Sequence, residues 1–348
     1  VETSVKALVI REHGDLHVLR FEERPDPVPR ADEVVVRVRA IGVNNLDTWV
    51  RRGVPGHTFP LPIVPGSDAA GTVVAAGSAA GGSIKEGDEV VLSPGVSCRA
   101  CHECLAGREP LCRHYGILGE SRDGTCAELI AVPGVGALPR PASLSREEAA
   151  AVPLVFLTAW HMLRARAVLS PGEWVLIRAA GSGVGSAALQ IAKMLGATVI
   201  AEARTTRKCS AARGLGADYT IDSSEQDTLA EVRRITGKRG VDVVVEHVGE
   251  ATWESSVRSL TKGGRLVTCG ATTGADARIN LRLLFFKNLS LLGSTMGGAA
   301  ELMEVLGHVA AGRLRPVVDR VLPFDQAAEA HRLLADRAVF GKIVLTVP

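Results

Sequence analysis

Cys98, Cys101, Cys104 and Cys112 follow one another in the spacing C-x2-C-x2-C-x7-C, so four of the chain's seven cysteines fall within fifteen residues. Four thiolates at short spacing suit a closed tetrahedral site of the kind that holds structural zinc. A disulfide framework is the poorer reading. The chain is long, the other cysteines (Cys126, Cys209 and Cys269) are scattered, and the opening Val1-Glu2-Thr3-Ser4-Val5-Lys6 has no signal-peptide character.

A second chemical signal is Ala179-Ala180-Gly181-Ser182-Gly183-Val184-Gly185-Ser186, set between an apolar run and a helical one. Glycines in that context permit a tight turn and let backbone N–H groups approach a pyrophosphate at the positive end of a helix. The expected cofactor contacts here are Ala180, Gly181, Ser182, Gly183, Val184 and Gly185, with Ser182 standing where the fingerprint often has glycine. The next strand bears on which dinucleotide is held. It ends Ala201-Glu202-Ala203-Arg204, with Arg207 and Lys208 close behind. An acid at the strand end holds the ribose 2′-hydroxyl of NAD. If Ala203 is terminal no acid is present, and Arg204 with Arg207 or Lys208 meets a 2′-phosphate. If Glu202 is terminal, NAD is favoured. The basic trio points to NADPH over NADH; the alternative is that it only begins a solvated helix.

The elements that position these groups read as two classes. Up to about residue 150 the chain is strand- and turn-rich, with Val34–Ala40 alternating as a half-exposed strand does and turns leading into strands near Gly71 and Gly87. From about 153 strands and helices alternate. Trp174–Ala179, Thr198–Ala203, Val241–Val245, Leu266–Cys269 and Leu289–Leu292 read as strands with helices between. That alternation predicts an α/β fold with a parallel sheet covered on both faces. The tail reads as a helix over Ala327–Leu334 and a strand over Lys342–Val347.

Composition narrows the partners. The 348 residues are 46% hydrophobic and carry a formal net charge of +2, with dispersed basic residues and no apolar stretch of transmembrane length. A nucleic-acid or acidic-membrane partner would need a concentrated basic face. The expectation is a cytoplasmic protein acting on a small molecule.

Together these pieces resemble the medium-chain dehydrogenase/reductase superfamily, which includes zinc alcohol dehydrogenases and quinone oxidoreductases. The resemblance rests on Gly42-Val43-Asn44-Asn45-Leu46-Asp47, Pro65-Gly66-Ser67-Asp68-Ala69-Ala70-Gly71, the four-cysteine lobe, Leu157-Thr158-Ala159-Trp160, the glycine turn, Lys262-Gly263-Gly264-Arg265 and Phe340-Gly341-Lys342-Ile343-Val344. It implies a GroES-like β-rich catalytic domain, 1–152 and 297–348, with a zinc lobe at 95–115. A Rossmann domain, 153–296, interrupts it, and the active site lies in the cleft between. It also implies a homodimer, possibly a tetramer, paired through the edge strand near Leu289–Thr295, and it adds His247 and Gly270 to the expected cofactor contacts.

The departures carry as much. Zinc alcohol dehydrogenases take their catalytic ion from a Cys in the first motif, a His in the second and a later Cys or acid. Here those positions match Asn44, Ser67 and a place near Val155 or Phe156. Amide and hydroxyl are poor zinc ligands beside thiolate and imidazole. The expectation is one structural zinc and no catalytic one, with an unusual site built on Asp68 or His57 as the alternative. The resemblance then implies hydride transfer to a quinone or α,β-unsaturated carbonyl, with Asn44 donating to the developing oxyanion, Asp47 orienting its neighbours and Thr158 near the nicotinamide. The alternatives are an alcohol dehydrogenase with altered zinc ligation and a non-catalytic NADPH-binding protein.

Overall fold

Val175, Leu176, Ile177, Val199, Ile200 and Val243 to Val245 have almost no exposed surface, and they lie on neighbouring strands of one parallel sheet. Such near-continuous apolar runs are what a strand covered on both faces requires. In the computed structural model, which describes residues 4–80 and 84–348, the chain divides into two units. One is Val155–Met296; the other joins Val1–Leu154 to Gly297–Pro348.

Across the sheet of the first of these units the strands run Tyr219–Asp222, Thr198–Ala203, Trp174–Ile177, Val241–Glu246, Leu260–Thr268 and Ser290–Gly293, all parallel. In chain order this is 3-2-1-4-5-6, the dinucleotide-binding arrangement, in which ligands bind beyond the strand C-termini where the order reverses. Helix starts are set by side chains. Ser182 accepts from Gly185 N at the start of Gly183–Met194, Thr205 from Lys208 N at Thr206–Gly214, and Asp227 from Ala230 N at Thr228–Ile235.

The other unit holds a seven-stranded sheet. Its path is Val318–Pro323, Lys342–Thr346, Glu33–Val43, Asp68–Ala76, Glu89–Leu92 and Ala137–Pro139, with Leu129–Pro133 also paired to Glu33–Val43. The hairpin Ser4–Ile10 with Leu19–Pro25 packs beside it.

Several elements differ from the sequence reading. The first parallel strand stops at Ile177: Arg178 N still bonds Val245 O, and the chain then turns at Ala179, which takes a positive φ of 45°. Tyr219–Asp222 is a strand that four partly polar residues do not announce. The strand around Leu266 begins at Leu260, through the polar stretch Thr261 to Gly264, and ends at Thr268. The helix Ala299–Ala310 was not anticipated. Among the described residues no helix is long and apolar enough to cross a membrane.

Candidate active site

Three strand ends bring the first cluster together. Ile343 pairs with Val43 and Gly42 pairs with Asp68, so Asn44, Asp68 and Lys342 meet at the ends of three neighbouring inner strands of the seven-stranded sheet. Gly42 makes room: a Cβ there would stand 2.2 Å from the Ala150 carbonyl oxygen. Asn44, Asp47, Ser67, Asp68 and Lys342 are each at most 5% exposed.

Lys342 Nζ donates to Asn44 Oδ1, and to Asp68 Oδ2 at 3.0 Å. Asp68 Oδ2 also accepts from Asn44 Nδ2 at 3.0 Å, and Oδ1 accepts from Leu154 N at 2.8 Å. The second amide hydrogen of Asn44 goes to Gly42 O at 3.0 Å. Asp47 Oδ2 accepts from Asn44 N at 2.7 Å, fixing the start of the helix Asn45–Arg52, and burial pushes its carboxyl up to about 7. Ser67 Oγ donates to Leu118 O at 2.8 Å.

This arrangement revises one expected role. Both amide hydrogens of Asn44 are already committed, so here it holds a buried lysine and aspartate together rather than presenting a donor to an incoming oxygen. His57 lies 3.3 Å from Glu120 with half its side chain exposed, and Val155 and Phe156 are buried apolar residues. Sequence reasoning missed the role of Lys342. The available signal was a lysine at the head of an otherwise apolar closing strand, which burial would oblige to find an anionic partner.

The glycine turn occupies the strand-to-helix position expected of it. A Cβ on Gly185 would stand 2.4 Å from Ala179 O and 2.8 Å from Ala180 Cα, so the helix starts directly against the strand end. That close packing, with the helix N-terminus at the strand exit, fits a dinucleotide pyrophosphate. Ser182 Oγ meets His247 Nε2 at 2.9 Å, and burial lowers the His247 pKa. Glu246, fully buried, accepts from His247 N, Val248 N, Thr252 Oγ1 and Ser256 Oγ and so shapes the segment that carries His247. Gly270 accepts from Thr268 Oγ1 at the next strand exit. Ala203 ends its strand, Arg204 beyond it is exposed, and Lys208 is half-buried in the first turn of the following helix. Thr158 donates to Met296 Sδ at 3.6 Å.

In the cysteine lobe the four Sγ atoms all lie within 4.8 Å of one another. Three pairs are 3.5, 3.5 and 3.8 Å apart, close to the edge of about 3.8 Å that a tetrahedron with Zn–S of about 2.3 Å would have. The N–H groups of Ala100 and Cys101 hold the Cys98 thiol down to about 6, toward the thiolate a metal requires. Among the described residues it is the one such cluster of three or more His, Cys, Asp or Glu ligands. Tyr115 Oη donates to Gly297 O at 3.1 Å and Glu109 accepts from Ala299 N at 2.7 Å, tying the lobe to the start of the helix Ala299–Ala310.

Comparison with known proteins places this geometry. Residues 30–142 match the alcohol dehydrogenase GroES-like domain and residues 183–311 the zinc-binding dehydrogenase domain. The chain is 32% identical over 336 residues to an NAD-dependent alcohol dehydrogenase of Sulfurisphaera tokodaii, covering 94% of this chain and 96% of the relative. It belongs to the medium-chain dehydrogenase/reductase superfamily. A crystal structure of an NAD-dependent alcohol dehydrogenase superposes with a TM-score of 0.94 at 46% identity, covering 99% of this chain and all of that one. An acryloyl-coenzyme A reductase of Metallosphaera sedula is 29% identical over 343 residues, 98% of this chain and all of the relative. This superfamily member is accordingly an NAD(P)-dependent oxidoreductase, with a GroES-like domain, a Rossmann domain and a structural zinc site on Cys98, Cys101, Cys104 and Cys112.

Proposed function

We propose that this oxidoreductase transfers hydride from NADPH to a quinone or an α,β-unsaturated carbonyl without a catalytic metal. The observation that carries the reading is the engagement of Asn44 and Ser67. At the two motif positions where zinc enzymes place Cys and His, the Asn44 oxygen is held by Lys342 and the Ser67 hydroxyl faces Leu118 O. The Asn44 oxygen is already engaged by Lys342, and neither an amide nor a hydroxyl is a strong zinc donor. Bound NADPH would supply the hydride. The chain's part is to bind and orient it, with the turn at Ala180–Gly185, the Ser182–His247 contact and Arg204 beyond the apolar end of the strand. Asp47, Asp68, Asn44 and Lys342 form a buried polar cluster in the other unit. The proton that completes the reduction comes from solvent.

A second reading has its own support. The alcohol dehydrogenases similar to this chain favour alcohol oxidation, which here would require altered zinc ligation, whereas the acryloyl-coenzyme A reductase favours an activated alkene. Comparing enones and quinones with primary and secondary alcohols, alongside the zinc content, separates the two. We further propose a cytoplasmic homodimer. The strand Ser290–Gly293 ends the parallel sheet, and Leu281, Phe285 and Phe286 nearby are 60–70% exposed, an unpaired edge beside apolar surface that a second copy would cover.

A further inference from the structure

The strand Thr198–Ala203 contains one acid, Glu202, and the structure withdraws it from the strand end. Ile177 and Ala201 are register partners on parallel strands, so the next residues, Arg178 and Glu202, stand side by side. Their side chains, 4% and 6% exposed, form an ion pair with Nε 3.6 Å from Oε2. The same Oε2 accepts from Ala179 N at 3.0 Å, and the Glu202 carbonyl accepts from Ala180 N at 2.8 Å. Glu202 is thereby fixed beneath the first residues of the glycine turn. Arg178 Nε and Nη1 are buried with no hydrogen-bond partner among the described residues, so the ion pair with Glu202 is the contact that balances this cation.

The placement bears on cofactor choice. A carboxylate at the end of this strand accepts from the ribose hydroxyls of NAD and repels a 2′-phosphate. Here the terminal position is Ala203, with the exposed Arg204 next in the chain. Glu202 is the residue before Ala203 in the strand, and its carboxylate is turned to Arg178 and Ala179 N. Arg178 is the residue whose charge retains it.

We infer that Arg178 is a specificity-determining residue for the dinucleotide: by holding Glu202 under the glycine turn, it keeps the strand's one acid off the adenosine ribose and leaves that place open to a 2′-phosphate. The inference rests on the NADPH reading, but the two are separable by experiment. Arg178 acts through Glu202 and is a positioning residue. Its loss leaves a buried carboxylate without its counter-charge, which must find water or a new partner. A ribose bound beyond the strand end would offer it hydroxyls to accept from.

The test is calorimetric titration of NADPH and NADH into the wild-type protein, Arg178→Leu, Glu202→Gln and the double variant, with thermal melts to confirm folding. The expected wild-type preference for NADPH tests the cofactor reading by itself. For Arg178→Leu the ratio of NADPH to NADH affinity should fall by about tenfold, the effect of one carboxylate facing a phosphate across a partly solvated gap. Glu202→Gln should leave the ratio within about twofold of wild type, and the double variant should return to it, since neither holds a releasable charge. If Arg178→Leu weakens both cofactors equally, Arg178 serves the dinucleotide as a whole and the inference is wrong. If Glu202→Gln selectively weakens NADH by about tenfold, Glu202 already reads the ribose and the inference is equally wrong. Should Arg178→Leu fail to fold, Glu202→Gln still decides that point. A wild-type preference for NADH with the shift in Arg178→Leu intact would remove the NADPH reading and keep the role of Arg178.

Discussion

The four-cysteine lobe and the Asn44 cluster lie in the same unit and are assembled in opposite ways. The lobe takes all its ligands from fifteen consecutive residues, two short helical turns and the loops between them. The cluster takes Asn44, Asp68 and Lys342 from the ends of three strands, and Lys342 is 274 residues from Asp68 and 298 from Asn44 in the chain. A metal can organise a local loop that has little core of its own. The cluster instead depends on the register of a finished sheet, and its one cation is a lysine. The comparison separates a site that an ion holds together from one that the fold holds together.

The largest effect should come from breaking the lobe. Cys101→Ser should remove the zinc, measured as metal per chain, and cost several kcal/mol of local stability, because binding free energy at such a site is folding free energy. Hydrogen exchange should then rise across residues 95–117 and at Gly297–Ala299, where Tyr115 and Glu109 hold the neighbouring segment. Protection unchanged after metal loss would mean the lobe folds without its ion.

Removing the cation of the second site should cost less and leave the zinc in place. Lys342→Met strands Asp68, which is fully buried, and should destabilise the protein by about 3–5 kcal/mol in urea unfolding. Adding Asp68→Asn should recover part of that loss. A cost below about 1 kcal/mol for Lys342→Met would show that the pair is dispensable.

The last effect is a pH dependence. Burial raises the Asp47 carboxyl from its ordinary 3.8 to about 7, so between those values the folded state binds more protons than the unfolded state. Its contribution to stability is therefore greatest below the unfolded value and is lost as pH rises toward 7. Asp47→Asn should flatten that part of the stability–pH curve. An unchanged slope between pH 4 and 7 would place the titration elsewhere.

The same contrast explains what could be read in the chain. The lobe, the glycine turn and the strand Thr198–Ala203 declare themselves within short windows, through cysteine spacing, glycine between strand and helix, and an apolar run. Tyr219–Asp222 does not, since four residues with one fully buried apolar side chain carry little periodic signal. Asn44 was legible as a departure from a zinc ligand, yet its actual partners were not. They follow from pairing Ile343 with Val43 and Gly42 with Asp68, and no local pattern encodes those registers. Glu202 was legible as an acid near a strand end. Its withdrawal beneath the turn depends on Arg178, just past the end of the neighbouring strand.

The central claim is that the metal of this protein is structural and that the reaction proceeds without one. It is tested most directly by measuring zinc per chain and NADPH-dependent reduction of a small enone or quinone on the same sample, before and after a chelator. The account predicts one zinc per chain, held by the four cysteines, and turnover that the chelator leaves unchanged while that zinc remains. Two zinc ions per chain, with alcohol oxidation abolished by the chelator and no enone or quinone reduction, would contradict it.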